Sequence, residues 1–331
     1  MDSAIKVRLS PRRVAVVMDD TFRIYRDNFV TFVALVALVT VPLILINTGI
    51  EEVVGENDFT TFEEFSRSSE ESLWIQVGLF VVGVLLNVIV VFSFICHVAS
   101  ENFLGRKATI IQAVRAARGR LLPLTGAVVL SAIVLGVLSA LSIAGAAIFI
   151  GILLMPVVAY LALTVYFFLL PVMILEKVGI FFGIRRALAL GKTRFWAIFG
   201  FVFGATLIVF IMGLALAILG EILADTTADA ARFVRAFINS LILVLVLPIF
   251  PIGMTLMYYD TRVRVEGIDI AFAVAETSDP RPSDLFSPRP VGRVLGTEDA
   301  RNIFVLACAG PFLLFVLGSI MFGIALAIAG P

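Results

Sequence analysis

Long uncharged apolar runs, separated by short charged segments, are the main pattern of this chain. A helix rises 1.5 Å per residue and a bilayer's hydrocarbon core is about 30 Å thick, so roughly 20 apolar residues cross it once. The 55-residue run 121–175 is too long for one crossing and predicts two, with a turn at Ser142–Gly145. The other runs cover residues 29–50, about 73–98, about 196–220, 237–257 and 303–329. The pattern therefore predicts an all-α, polytopic integral membrane helical bundle with seven transmembrane helices.

Composition supports this class and divides the chain. Hydrophobic residues make up 60% of the sequence and the mean hydropathy is +1.08, whereas soluble domains are about 45–50% apolar. Residues 1–276 are predicted to form a six-span membrane domain. Residues 277–302, rich in Pro, Ser and Asp, are predicted to be a flexible cytoplasmic linker. Residues 303–331 then form the C-terminal seventh transmembrane helix.

The distribution of Lys and Arg predicts the orientation. Six precede the first span, five lie between spans two and three, five between four and five, and six between six and seven. Only Arg67, Arg232 and Arg235 fall in the intervening loops. Because cytoplasmic loops carry the excess of Lys and Arg, we expect a multi-pass protein of the cell (inner) membrane with a cytoplasmic N-terminus and an extracytoplasmic C-terminus. The net charge is zero, so no overall field favours nucleic acid, and no nucleic-acid partner is expected.

A polar, partly basic segment precedes the first, third and fifth spans. Apolar residues recur every three or four positions in the first segment, which is typical of an amphipathic helix on the membrane surface. Thr109 and Gln112 have the spacing of a capping box that opens the second. Arg26, Arg118 and Lys192 each lie three positions before a span. This spacing favours three repeated units, each a cytoplasmic interfacial helix plus a two-span hairpin. The alternative is that any basic helix before a membrane span would look similar.

Residues for catalysis or metal binding are scarce. His97 is the single histidine, and the two cysteines lie in separate apolar segments, so a metal site has too few ligands. HExxH, GxSxG, Walker and CxxC motifs are absent. We therefore expect no catalytic residue, metal or cofactor. All 50 charged residues fall outside the predicted spans, which disfavours an ion-coupled transporter and leaves Asn87 and Asn239 as polar groups within them.

The densest polar patch, Tyr258–Asp269, directly follows the sixth apolar run. In a helix, Asp260 would pair with Arg264 and Arg262 with Glu266, and Gly267 would end the helix. One interpretation is a locked helix end that anchors the sixth span. The other is a site that binds anionic lipid headgroups or an acidic segment of a protein partner, together with the basic helices. The candidate residues for headgroup or partner binding are Tyr258, Tyr259, Asp260, Arg262, Arg264, Glu266, Arg23, Arg26, Arg115, Arg118, Arg185 and Arg186.

The stretch Tyr-Tyr-Asp-Thr-Arg-Val-Arg-Val-Glu-Gly-Ile-Asp at 258–269 resembles a bacterial polytopic membrane-domain family. This family is named after the glycerophosphoryl diester phosphodiesterase membrane domain. Residues 20–26 and 175–195 are also similar to that family, so the resemblance covers roughly residues 10–275. It implies a membrane domain and little about activity. In fused members hydrolysis belongs to a separate soluble barrel domain, which needs histidines and metal-binding carboxylates. This chain has no such domain and a single histidine, so the enzymatic name does not transfer.

Two functions from different classes fit these observations. The first is a non-catalytic integral membrane protein, a scaffold or accessory subunit that binds lipid headgroups or a protein partner at its cytoplasmic face. The alternative is a permease or flippase-like carrier of lipid or amphiphilic substrates, with a groove between hairpins and the polar residues Asn87 and Asn239. An intramembrane enzyme ranks third.

Overall fold

The described part of the protein is built from helices. A computed structural model describes residues 11–54, 78, 81–83, 85–106, 109–145, 150–223, 241, 244–270 and 296–308, and these residues contain no strand. The helices are α1 (Val14–Asp27), α2 (Phe29–Val54), α3 (Phe92–Phe103), α4 (Ile110–Arg118), α5 (Leu121–Gly145), α6 (Ile150–Leu175), α7 (Ile180–Thr193), α8 (Phe195–Leu223), α9 (Ile249–Glu266) and α10 (297–308). A π-helical turn, Asn87–Val91, leads into α3.

Five of the described helical segments are long and apolar enough to cross a membrane. A sixth is reached if α1 and the first part of α2, which meet at an angle of 81°, are counted as one bent span. The predicted all-helical class, with several helices able to cross a membrane, is therefore confirmed for the described residues. The predicted seventh span lies mostly outside the described residues, since α10 is described only to residue 308. The five segments are Val81–Phe103, Leu121–Gly145, Leu154–Leu175, Phe195–Ala215 and Val244–Glu266.

The 55-residue uncharged run forms two helices, α5 and α6, as predicted. Helix α5 is described as far as Gly145, so the residues of the predicted turn, Ser142–Gly145, are helical. The Ser142 hydroxyl donates a hydrogen bond of 2.6 Å to the carbonyl of Gly151 on α6. The buried hydroxyl of this serine in an apolar helix thus has an acceptor on the neighbouring helix.

The predicted interfacial helices α4 and α7 show how a short helix begins and how one packs on a neighbouring helix. The capping box at the start of α4 is confirmed, with Thr109 and Gln112 bonded in both directions. Helix α7 packs lengthwise and antiparallel against α6: a Cβ added at Gly183 would meet Met173, and one added at Gly191 would meet the backbone of Thr164. The backbones of α6 and α7 approach most closely at Gly191, because only glycine leaves enough room there.

The three short helices join their following spans with a common hydrogen bond. Helices α1 and α7 each have 14 residues, and the residues that cap their C-terminal ends have nearly equal backbone dihedral angles. These angles are φ −126° and ψ 25° at Asn28, and φ −128° and ψ 25° at Arg194. The carbonyl oxygen of the residue just before each span accepts a hydrogen bond from the backbone amide four residues later. The pairs are Asn28 with Phe32, Arg120 with Leu124, and Arg194 with Ile198.

Three other helix ends also match one another. Positive φ angles occur, among the described residues, at Gly105, Lys177 and Gly267, which follow α3, α6 and α9. The left-handed conformation closes the last helical turn, and glycine adopts it without the steric cost that a Cβ brings. Gly267 therefore ends α9 as predicted, with its amide bonded to the carbonyl of Val263.

Helix α9 is the centre of the described bundle. In the segment Val244–Glu266, 78% of the most apolar stretch is buried inside the protein, whereas in Phe195–Ala215 the buried share is 17%. The N-terminal part of α10 also packs onto the bundle: Tyr160 donates a hydrogen bond to Asp299, and the Trp196 indole donates one of 3.0 Å to Asn302. Residues 297–302, at the end of the predicted flexible linker, are helical.

Candidate functional site

The polar patch of the sequence is the buried end of α9. Tyr258 and Tyr259 are completely buried, and so is nearly all of the Arg262 side chain. Arg264 and Val265 are the exposed residues between Tyr258 and Glu266. Burying charged groups is unfavourable unless each finds partners of opposite charge and fills its hydrogen bonds. The contacts of this segment show that two separate clusters supply those partners.

The first, the Glu176 cluster, consists of Glu176, Arg186, Tyr258, Arg262 and Glu266. Arg186 forms a forked pair with Glu176, with Nε and Nη2 each 3.1 Å from a carboxylate oxygen, and also contacts Glu266. Arg262 Nε lies 2.7 Å from Glu266 Oε2, which confirms the predicted pair on α9. Two carboxylates and two guanidiniums, all at most 4% exposed, thus give a buried cluster of zero net charge.

Tyr258 links Arg262 to Glu176. Its hydroxyl donates a bond of 2.9 Å to Glu176 Oε1 and accepts one of 3.0 Å from Arg262 Nη1. The tyrosine therefore uses both its donor and its acceptor capacity inside the protein. Such a connected network fixes the relative positions of α6, α7 and α9 where their ends meet.

The second, the Asp260 cluster, joins the beginning of the chain to α9. Asp260 pairs with Arg194 at 2.9 Å and with Arg264 at 3.2 Å, and it accepts a bond of 2.6 Å from the backbone amide of Arg12. The pair of Asp260 with Arg264 is the second one predicted from spacing. Asp20 lies beside it and pairs with Arg12 and Arg23. Four guanidiniums share two carboxylates, so this cluster carries a formal charge of +2.

Burial and charge have opposite effects on these arginines. Burial alone would lower the pKa of Arg186, but its hydrogen bond and charge interaction with Glu176, and then Glu266, outweigh burial and raise the pKa. For Arg194 burial dominates and lowers the pKa, although Asp260 opposes it. Arg186 therefore remains a cation at any physiological pH, as its role between two carboxylates requires.

A shallow cavity beside the Asp260 cluster is closed by groups that are already bonded. Its lining includes Arg12, Asp20, Phe103, Tyr259 and Asp260. The Arg12 guanidinium lies 5.0 Å from the centre of the Phe103 ring, and the Tyr259 hydroxyl is 2.6 Å from that of Ser100. Within the described ranges, no three His, Cys, Asp or Glu side chains converge as metal ligands would.

The twelve sequence-predicted residues separate into two groups. Six are buried and bonded inside the bundle: Tyr258, Tyr259, Asp260, Arg262, Glu266 and Arg186. The other six are exposed: Arg23, Arg26, Arg115, Arg118, Arg185 and Arg264. Binding of headgroups or a partner by these residues stays a prediction, and in this conformation the exposed group is the one a ligand can reach.

Four residues of the two clusters were missed from the sequence: Arg12, Asp20, Glu176 and Arg194. Glu176 had a usable signal, because no other acidic residue occurs between Glu101 and Glu221. A single carboxylate among five basic residues is a good candidate for a buried counter-ion. Arg12, Asp20 and Arg194 had no such signal, since their partners come from distant parts of the chain.

Comparison with known proteins adds no relative. No family model, no curated protein and no solved structure matches this chain. The resemblance of residues 258–269 to the phosphodiesterase membrane-domain family therefore stays a prediction.

Proposed function

We propose that this chain is a non-catalytic integral membrane protein, a scaffold or accessory subunit that binds lipid headgroups or a protein partner at its cytoplasmic face. The observation that supports it most is how the charges are divided. The buried charges of α9 are matched by counter-ions inside the bundle, whereas Arg115, Arg118 and Arg185 project from short helices into solvent. The reachable surface therefore offers cations for binding.

The proposed architecture has three units, each a short helix followed by a two-span hairpin, with a seventh span after them. Its support is the shared hydrogen bond at the start of α2, α5 and α8, and the left-handed residue that follows α3, α6 and α9. The 81° bend between α1 and α2 suits a helix that lies along a membrane surface before the chain crosses.

The proposed orientation places all basic segments on the cytoplasmic side. Its support is that segments expected on one side meet at one end of the bundle: Arg12 and Asp20 precede the first span, Glu176 follows the fourth, and Arg194 precedes the fifth. All of them contact or adjoin the end of α9. We assign this end to the cytoplasm of the cell (inner) membrane from the Lys and Arg distribution.

One observation favours the carrier function as a second candidate. Asn87 begins the π-helical turn before α3, accepts a bond of 3.1 Å from the Thr40 hydroxyl and donates one to the carbonyl of Gly83. π-Helical turns are frequent at functional sites, and a polar pair inside an apolar bundle can contact a substrate. Asn239, the other predicted carrier residue, lies outside the described residues.

Lipid movement in proteoliposomes separates the two functions. We expect a fluorescent phospholipid to cross the bilayer no faster in vesicles with purified full-length protein than in protein-free vesicles. The reason is that the polar groups of α9 bond to other groups inside the protein and offer no path to a lipid headgroup. Faster movement that falls to the protein-free rate in Asn87→Leu would assign the carrier function instead. Asn302→Leu, which removes a polar contact away from Asn87, serves as the control.

A further inference from the structure

Helix α4 presents a mixed basic and apolar face away from the bundle. Ala113 and Ala117 are completely buried and pack it onto the protein. Ile111, Val114, Arg115 and Arg118 have the spacing i, i+3, i+4, i+7, which places them on one side of a helix, opposite the two alanines. Both arginines are exposed, and Ile111 and Val114 are 71% and 37% exposed.

The cations of α4 differ from those of α1 because they lack acidic neighbours. No acidic residue occurs between Glu101 and Glu176. Among the described residues, Arg115, Arg118 and Arg120 form no ion pair, whereas Arg23 pairs with Asp20 and Arg26 with Asp27. The positive charge of α4 is therefore left for a ligand outside the described structure.

We propose that this face of α4, formed by Ile111, Val114, Arg115 and Arg118, is the binding site for the phosphate groups of anionic membrane lipids. The inference rests on the proposed function and names its ligand and its place. The charge is complementary, because unpaired guanidiniums bind phosphate through two parallel hydrogen bonds. Helix α4 ends at Arg118 and the predicted span α5 begins at Leu121, which would bring α4 to the level of the headgroups.

The apolar residues of this face favour a lipid as the ligand over a soluble anion. An exposed isoleucine and valine on the same face as two arginines gain nothing from a free phosphate ion. In the boundary between headgroups and acyl chains, their burial contributes on the order of 25 cal/mol per Å² of apolar area. A phosphate-bearing lipid satisfies both kinds of side chain at once.

Lipid binding by the full-length protein in detergent tests the site. Native mass spectrometry measures how many phosphatidylglycerol or phosphatidylcholine molecules remain bound as each is titrated. We expect Arg115→Gln with Arg118→Gln to weaken phosphatidylglycerol binding about thirtyfold, since each basic residue near an anionic surface contributes about 1 kcal/mol. Arg23→Gln with Arg26→Gln removes the same number of exposed charges and should change it less than threefold, because each of these arginines already has an acidic partner, Asp20 or Asp27.

The other outcomes of this experiment distinguish a failure of the α4 site from a failure of the proposed function. Equal weakening by both double variants would overturn the site and leave only a general charge effect. A wild-type protein that does not prefer phosphatidylglycerol over phosphatidylcholine would overturn the site and the lipid arm of the proposed function together. If Arg115→Gln with Arg118→Gln abolishes binding of a glutamate-rich peptide and leaves phosphatidylglycerol binding unchanged, α4 is a protein-docking surface instead. Ile111→Gln should weaken lipid binding and leave glycerol phosphate binding unchanged.

Discussion

Replacing Arg186 with methionine is expected to lower the free energy of unfolding by about 3–5 kcal/mol. The variant leaves Glu176 and Glu266 buried with Arg262 as their remaining shared counter-ion. Removing one partner of a buried ion pair has this large effect because the remaining charge has lost both water and its partner. The shift in the midpoint of thermal or denaturant unfolding in detergent measures it.

Arg185 provides the matched control for Arg186. It is the preceding residue on α7, of the same type, and it is exposed. Arg185→Met should change the free energy of unfolding by no more than about 0.5 kcal/mol, as exposed substitutions usually do. Adding Glu266→Gln to Arg186→Met restores zero net charge to the cluster and should recover at least about 1 kcal/mol. Equal losses for Arg185→Met and Arg186→Met would contradict the role of the buried cluster.

Gly191→Ala is expected to destabilise the protein by about 1–3 kcal/mol, although alanine is the better helix former. The added methyl group would collide with the backbone of Thr164, which cannot rotate away as a side chain can. Helices α6 and α7 would have to separate, and this would stretch the contacts of Arg186 with Glu176. Unfolding midpoints of the purified variants measure the effect.

Gly200 is the control for this substitution. It belongs to the GxxxG spacing of Gly200 and Gly204 in α8, but a Cβ at Gly200 would meet no atom within 4 Å. Gly200→Ala should therefore leave the unfolding midpoint unchanged or slightly raised. A lower midpoint for Gly200→Ala than for Gly191→Ala would show that α8, and not the contact of α6 with α7, makes the critical close approach.

Local features of this protein could be predicted from the sequence because they depend on neighbouring residues. The length of an apolar run gives the spans, and the spacing of three residues between Thr109 and Gln112 gives a capping box. The same holds for the pairs of Asp260 with Arg264 and of Arg262 with Glu266, and for the helix end at Gly267.

The burial of the polar end of α9 could not be predicted in this way. Tyrosines at the end of a span are typical of the headgroup level. Here, however, the Tyr258 hydroxyl bonds to Glu176, 82 positions away, and the Tyr259 hydroxyl bonds to Ser100, 159 positions away. Whether a charged helix end lies in water or in a protein core depends on which distant segments pack on it. Glu176, Arg186 and Arg194 provide that environment here, and the α9 residue that each of them contacts becomes visible only in three dimensions.

The division between buried and exposed cations is tested most directly by comparing lipid binding with stability in the same variants. One variant changes Arg262 to methionine. The other changes five of the exposed arginines, Arg23, Arg26, Arg115, Arg118 and Arg185, to glutamine. Native mass spectrometry gives bound phosphatidylglycerol, and thermal unfolding gives the midpoint. We expect Arg262→Met to keep wild-type lipid binding at a lowered midpoint, and the five-residue variant to lose the lipid preference at an unchanged midpoint. Loss of phosphatidylglycerol binding in Arg262→Met, with binding retained in the five-residue variant, would contradict the proposal.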